Sequence, residues 1–332
     1  MENLSGEKLK VAVVGLGKMG LLHAGILNVL PNVELAALCD KSIILVKSFR
    51  KIFDGVQVVN DVRKLSDLDL DVVYVTTSIF SHSLVVKNVY LRGIARNLFV
   101  EKTLASSYDE SKELCELARR FGGANIVGYM NRFAVTFMKA KDLLTQESLG
   151  KVISFEAYAY SSDFLGNDKS SKTSASRGGC LRDLGCHAVD LALWFFGDFE
   201  ADPAKLQSVT ENSAHFRVKK SNGLEGGFNV SQCMENYRLP EIGLVIRGSN
   251  GVMSVNGDKV NLKLNDEKSF VWYRHDLDDN VFFWLGASEY FREDKYFVKS
   301  ILEVGSAEPS FYTASKVDYI IDQVRSGAGR NE

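Results

Sequence analysis

The chain has 332 residues, 45% of them hydrophobic and 25% charged, a globular composition that excludes intrinsic disorder. Lys and Arg number 40 against 42 Asp and Glu, for a net charge of -2. That balance leaves no basic field for nucleic acid and no polybasic patch for a membrane.

The length points to two domains. Met1 to Lys10 is polar and has no signal core, and no apolar run is long enough to span a bilayer. The five cysteines, Cys39, Cys115, Cys180, Cys186 and Cys233, are irregularly spaced with no CxxC, which predicts a reduced, soluble, cytoplasmic chain.

The first half alternates strand and helix. Lys8 to Gly15 is a valine-rich strand ending in glycine, Lys18 to Leu30 an amphipathic helix, and Val33 to Asp40 a second strand. Asp71 to Thr77 is a strand, followed by a helix to Arg92 and the strand Asn97 to Glu101. Ser107 opens a capping box and a helix to Phe121, and Ala124 to Tyr129 is a further strand. This alternation predicts an α/β domain over residues 1–130, a Rossmann doubly wound parallel sheet covered on both faces.

After Asn131 the pattern changes. Helices are predicted at Phe133 to Thr145 and Leu181 to Phe196. Strands without intervening helices are predicted at Lys151 to Tyr160, Lys205 to Glu211, Ala214 to Lys220, Glu225 to Cys233, Ile242 to Gly248 and Val260 to Leu264. Helices return at Glu289 to Val304 and Phe311 to Arg325. Residues 131–332 therefore read as an α+β domain with a largely antiparallel sheet. Ser161 to Arg177 is polar and serine-rich, and its length marks it as a binding loop. Its cations Lys169, Lys172 and Arg177 outnumber Asp163 and Asp168, so it could receive a phosphate or merely solubilise the loop.

The sharpest local signal is Gly15-Leu16-Gly17-Lys18-Met19-Gly20, a GxGxxG between strand and helix. Gly15 permits a tight turn, Gly17 lets backbone approach a pyrophosphate, and Gly20 lets helix and strand pack closely. Asp40 ends the second strand, where a carboxylate binds the ribose 2′-hydroxyl. It repels a 2′-phosphate, so NAD is expected ahead of NADP. His82 follows the fourth strand and is expected near the nicotinamide ribose. His23 is expected to pack near the glycine loop. Asp183 and His187 are i,i+4 neighbours on a predicted helix with Asp190 one turn on; by spacing alone they are either an acid–base pair or an ordinary surface pair. Cys180, Asp183, Cys186 and His187 cluster, but no second Cys/His pair completes a zinc site, and no metal is expected.

Taken together, Gly15 to Gly20, Glu101-Lys102, Asn131-Arg132-Phe133 and Asp183-Leu184-Gly185-Cys186-His187 resemble the glucose–fructose oxidoreductase, inositol dehydrogenase and rhizopine-catabolism family (Gfo/Idh/MocA) over nearly the whole chain. The resemblance implies an NAD(P)-dependent oxidoreductase moving a hydride between nicotinamide and a secondary alcohol of a sugar, nucleotide sugar or cyclitol. It implies a catalytic trio of Lys102, Asp183 and His187, and cofactor contacts from Thr76, Thr77, Glu101 and Lys102 beside the glycine loop. Arg132, Tyr160 and Tyr290 join Asp183 and His187 as substrate-side residues. Homodimers or homotetramers through the second-domain sheet are implied too. The family proline after the lysine is Thr103 here. A cis bond before threonine costs about 2.5–4 kcal/mol, so the Lys102–Thr103 bond is expected to be trans. That departure motivates an alternative, a non-catalytic NAD-binding sensor or scaffold. A methyltransferase with a similar glycine loop is a third reading, for which the strand-rich second domain has no evident use.

Overall fold

In the computed structural model the described residues are 8–165, 174–283, 285–303 and 305–328. They form two compact units. The first comprises Met1–Gly128 with Val281–Ser315, and the second Tyr129–Asn280 with Lys316–Glu332.

The first unit holds strands β1 (Leu9–Val14), β2 (Val33–Cys39), β3 (Gln57–Val59), β4 (Val72–Val75), β5 (Asn97–Glu101) and β6 (Asn125–Gly128) in the order β3-β2-β1-β4-β5-β6. All pairings are parallel. Val11, Ala12 and Val13 of β1 and Val72, Val73, Tyr74 and Val75 of β4 are fully buried, as a sheet covered on both faces requires. Helices α1 (Lys18–Val29), α2 (Ile43–Ile52), α3 (Ile79–Leu91) and α4 (Tyr108–Phe121) connect the strands. The strand order reverses between β1 and β4, and at that reversal the carboxyl ends of two neighbouring strands diverge and leave a crevice for ligand.

The second unit is built on an eight-stranded sheet of β7 (Val152–Tyr160), β8 (Glu200–Val209), β9 (Ser213–Lys219), β10 (Glu225–Ser231), β11 (Glu241–Gly248), β12 (Gly251–Asn256), β13 (Lys259–Leu264) and β14 (Ser269–Tyr273). Its order is β14-β13-β12-β11-β7-β10-β9-β8. Only the β7–β10 pair is parallel; the other six pairings are antiparallel. Helix α5 (Val135–Thr145) packs on β12 and β13, and α6 (Cys186–Phe196) on β7 and β11. Beneath α6, Phe155 stacks on Phe196 with centroids 4.3 Å apart and meets Phe228 edge-on at 5.8 Å.

The units divide at Gly128 and Tyr129, and residues Val281–Ser315 return to the first unit. Helix α7 (Ser288–Glu303) belongs to the first unit, against α1. Phe297 is fully buried there, its ring 6.0 Å from Tyr74 and 6.2 Å from Phe99. The Val127 N–H donates to the Pro309 carbonyl at 2.9 Å, extending the edge at β6. The last helix, α8 (Phe311–Ala328), passes from the first unit into the second after Ser315. An amphipathic pattern declares that a helix has a buried face but not which core it covers. No helix among the described residues is long and apolar enough to cross a membrane.

Candidate functional site

In the first unit the glycine loop joins β1 to α1. Gly15 has φ +100°, and a Cβ there would lie 2.7 Å from both the Thr76 carbonyl carbon and the Thr77 nitrogen. A Cβ on Gly20 would lie 1.8 Å from the Gly15 carbonyl oxygen. These two glycines bring loop, helix and β4 together. Gly17 differs, because a Cβ there would meet nothing within 4 Å. No side chain caps the α1 N-terminus, and its first turn carries no acid, so its N–H groups remain suited to phosphate. Gly20→Ala is expected to abolish NADH binding measured by nicotinamide fluorescence, because the backbone must move to admit the methyl, at a cost of about 1–3 kcal/mol.

Asp40 fastens this loop. One carboxylate oxygen accepts from the Leu16 N–H and the other from the Ser42 N–H, both at 2.7 Å. Ser42 in turn caps α2, accepting from the Leu45 N–H. Thr76 is buried and donates its hydroxyl to the Gly15 carbonyl at 2.6 Å. It therefore shapes the loop from below, where a cofactor contact was expected. The Thr77 hydroxyl is buried with no hydrogen-bond partner, and so retains an unused donor and acceptor at the end of β4. Open space over Gly17, an uncapped helix N-terminus, a carboxylate at the end of β2 and the unused Thr77 hydroxyl together fit a dinucleotide. Lys18 is exposed and Met19 half-buried on the same turn.

Two residues expected at the cofactor also have partners within the first unit. His82 is 1% exposed, and its ring nitrogens lie 2.9 Å from the Thr103 and Thr77 carbonyl oxygens. Burial pushes its pKa down. The ring ties β4 to the segment after β5 and faces inward. Glu101 is also committed inward: one oxygen lies 3.0 Å from His23 Nε2 and the other accepts from the Lys102 N–H at 3.1 Å. His23 Nδ1 lies 2.9 Å from both oxygens of Asp294. His23 and Asp294 are fully buried and Glu101 is 7% exposed. Burial disfavours a charged ring, but Asp294 and Glu101 overcome it and hold the His23 pKa well above its ordinary value. Tyr290, expected beside substrate in the second domain, lies instead on α7 of the first unit, edge-on to His23 with centroids 6.2 Å apart. Burial and nearby carboxylates raise its pKa.

Lys102 is half-buried at the end of β5. The Lys102–Thr103 bond is cis, correcting the trans expectation. Thr103 is fully buried, its hydroxyl donating to the Ala105 carbonyl at 3.0 Å and its carbonyl facing His82.

In the second unit, Leu181–Gly185 wind as a π-helical turn that leads into α6. Such turns place side chains off the regular helical phase and recur at functional sites. Asp183 sits in the π turn and His187 in the first turn of α6. Asp183 Oδ2 accepts from Gln232 Nε2 at 2.9 Å and faces Arg177 Nη1 at 3.5 Å. His187 is 7% exposed, with Tyr129 edge-on at 6.2 Å. The helix is moored by charge: Arg182 pairs with Asp318 at 2.6 Å and with Asp322.

Arg132 is likewise structural. It makes a bidentate pair with Asp190, at 2.8 and 2.7 Å, and its guanidinium lies 5.8 Å from the Trp194 ring centre. Both partners are buried, and the pair braces Met130–Phe133 against α6. Tyr160 is half-buried at the end of β7, stacked on Tyr158 at 5.1 Å and edge-on to Tyr237 at 5.2 Å. Burial raises its pKa. Lys169 and Lys172 lie outside the described residues.

Sequence reasoning missed Gln232, Asp294 and the role of His23. An amide or carboxylate in a core leaves no periodic trace, and the His23–Asp294 contact joins positions 271 residues apart.

Comparisons with known proteins agree with this architecture. Residues 9–129 match the model of an oxidoreductase family with an NAD-binding Rossmann fold, and residues 137–254 match the GFO/IDH/MocA C-terminal domain. The chain is 24% identical to the uncharacterised oxidoreductase YrbE of Bacillus subtilis over 197 residues, 58% of this chain and 54% of that protein. It is 24% identical to the scyllo-inositol 2-dehydrogenase (NAD+) of the same organism over 68% of this chain and 63% of that one. The aligned region thus spans between about half and two thirds of these relatives' lengths. In fold, it resembles a levoglucosan dehydrogenase solved with NADH and levoglucosan, at a TM-score of 0.86 and 20% identity over 98% of each chain. With both halves matched by one family's models, the chain belongs to the GFO/IDH/MocA oxidoreductases, and its first unit contains their NAD-binding Rossmann domain.

Proposed function

We propose that the chain is an NAD-dependent dehydrogenase of a secondary alcohol borne by a sugar, nucleotide sugar or cyclitol. The observation that carries the reading is the loop at Gly17, where open space, an uncapped helix N-terminus and the braced Asp40 carboxylate meet. Asp40 supports NAD over NADP, because a carboxylate fixed by two backbone N–H groups repels a 2′-phosphate and accepts from a free hydroxyl. When bound, the nicotinamide supplies the hydride acceptor.

The residues of this chain supply the proton chemistry. The alcohol carbon gives up hydride while its oxygen gives up a proton, and the imidazole of His187 takes that proton. The Lys102 ammonium donates to the same oxygen and stabilises the negative charge that develops on it. Asp183, held by Gln232 and Arg177, accepts from a substrate hydroxyl and fixes its orientation. The substrate class is supported by relatives named for scyllo-inositol and glucose 6-phosphate. Five unbridged cysteines support a cytoplasmic location.

The test is NAD reduction, read by nicotinamide absorbance, with scyllo-inositol, glucose 6-phosphate and levoglucosan. Turnover on any of them supports the dehydrogenase. Tight NADH binding with no turnover on any favours a non-catalytic sensor. Asp40→Ala is expected to narrow the preference for NADH over NADPH in the same binding assay, and an unchanged preference would remove Asp40 as the discriminator.

A further inference from the structure

Gln232 follows β10 and is 1% exposed. Its backbone N–H donates to the Asn212 carbonyl at 2.9 Å, and its own carbonyl accepts from the Phe164 N–H at 3.0 Å. In the side chain, Oε1 accepts from the Ser174 hydroxyl at 2.8 Å and Nε2 donates to Asp183 Oδ2 at 2.9 Å. The amide has one workable orientation. Flipped, it would set an oxygen against the Asp183 carboxylate, which has no proton to offer.

Phe164 and Ser174 belong to the two described end stretches, or flanks, of Ser161 to Arg177, the polar segment that the sequence marks as a binding loop. The two flanks also meet each other, since the Arg177 guanidinium lies 5.5 Å from the Phe164 ring centre. Arg177 then reaches Asp183 Oδ2 at 3.5 Å. Two independent links, one a buried amide and one a cation, therefore run from the loop flanks to the same carboxylate oxygen. Glu211, whose carboxylate pairs with Arg325 at 3.4 Å, has its carbonyl oxygen 2.7 Å from Ser174 Oγ and accepts there from the Cys180 N–H.

We propose that Gln232 is the positioning residue for Asp183: its amide holds the carboxylate as an acceptor and ties that position to both flanks of the loop. This rests on the reading of Asp183 as a substrate-side residue. Gln232 itself is too buried to touch substrate. Its action is to keep the Asp183 carboxylate in one rotamer.

The isosteric Gln232→Glu variant tests this in the full chain. At neutral pH it sets an oxygen against Asp183, and kcat is expected to fall about 10- to 100-fold with KM for NAD unchanged. Lowering the pH is expected to restore turnover, because one proton shared by two carboxylates rebuilds the donor. A crystal structure of Gln232→Glu at neutral pH gives a readout that needs no turnover: Asp183 is expected to leave its wild-type rotamer. If Gln232→Glu does not fold, Gln232→Met keeps the bulk, drops both polar groups and carries the same expectations without the recovery at low pH. Asp183 unmoved in the variant crystal, or an unchanged kcat where Asp183→Asn abolishes it, overturns the proposal. Wild-type turnover in Asp183→Asn overturns instead the role given to Asp183.

Discussion

Replacing His187 by asparagine is expected to lower turnover at least about 100-fold, the magnitude of a lost general base, while NADH binding stays at the wild-type level. Asparagine keeps a polar side chain of similar reach but takes no proton near neutral pH. The position holds the imidazole in place. His187 is 7% exposed at the start of α6, its ring met edge-on by Tyr129, and the helix beneath it is moored by the buried Arg132–Asp190 and Arg182–Asp318 pairs. A side chain so held spends little entropy in reaching its working geometry. Lys102→Ala is expected to cost about 100- to 1,000-fold, as when a donor to a developing oxyanion is removed. The two variants separate the roles. Loss of the base is expected to be eased as pH rises, because hydroxide takes over the proton, whereas loss of the ammonium is not. Near-wild-type turnover in both variants would sink the assignment.

The parts of this molecule that were legible in the sequence are those where backbone geometry dictates residue type. Gly15 must accept φ +100° and Gly20 must clear the Gly15 carbonyl, so the spacing of the motif alone gives glycine a physical reading there. Asp40 was legible because its place at the end of β2 is fixed by chain distance from the loop it braces. Strands β1 and β4 announced themselves by short, valine-rich apolar runs.

What escaped depends on partners distant in the chain. Arg132 looks like a free cation until Asp190 is placed against it. His82 looks available until two carbonyl oxygens are found at its ring nitrogens. Strand β14 was missed because it is an exposed edge, with Phe270 42% and Val271 45% accessible, and edge strands lack the alternation that a half-buried strand shows. Helix α7 was recognised as a helix but assigned to the wrong core, since nothing in its own sequence names β4 and β5 as its partners.

That reassignment gives the largest expected effect on stability. His23→Leu is expected to destabilise the chain by about 3–5 kcal/mol, the cost of breaking a buried ion pair and leaving its partners uncompensated. Here the partners are two: Asp294, fully buried, and Glu101, 7% exposed, each within 3.0 Å of a ring nitrogen. The imidazolium meets both carboxylates with its two N–H donors, the form favoured by the raised His23 pKa. The cluster also carries the chain's long-range organisation, since it joins α1, the end of β5 and α7. Urea unfolding of wild type and variant measures the loss, and His23→Leu combined with Asp294→Asn is expected to recover part of it by removing one stranded charge.

The same cluster sets a pH dependence whose sign follows from the shifts. His23 has its pKa raised above the ordinary 6.5, and Asp294 is raised above 3.8, burial outweighing the attraction of His23. Both groups thus bind protons more tightly in the folded state. The His23 contribution is complete below about pH 6.5 and is lost as pH rises through the raised folded value. Tyr74 and Tyr290, the phenols nearest His23, are held protonated by burial and by these carboxylates, so they add no opposing charge over that range. Wild-type stability is expected to fall on the alkaline side more steeply than that of His23→Leu, and the two unfolding curves to converge. Parallel curves across that range would mean that His23 is neutral in the folded chain and that Glu101 or Asp294 carries the proton instead.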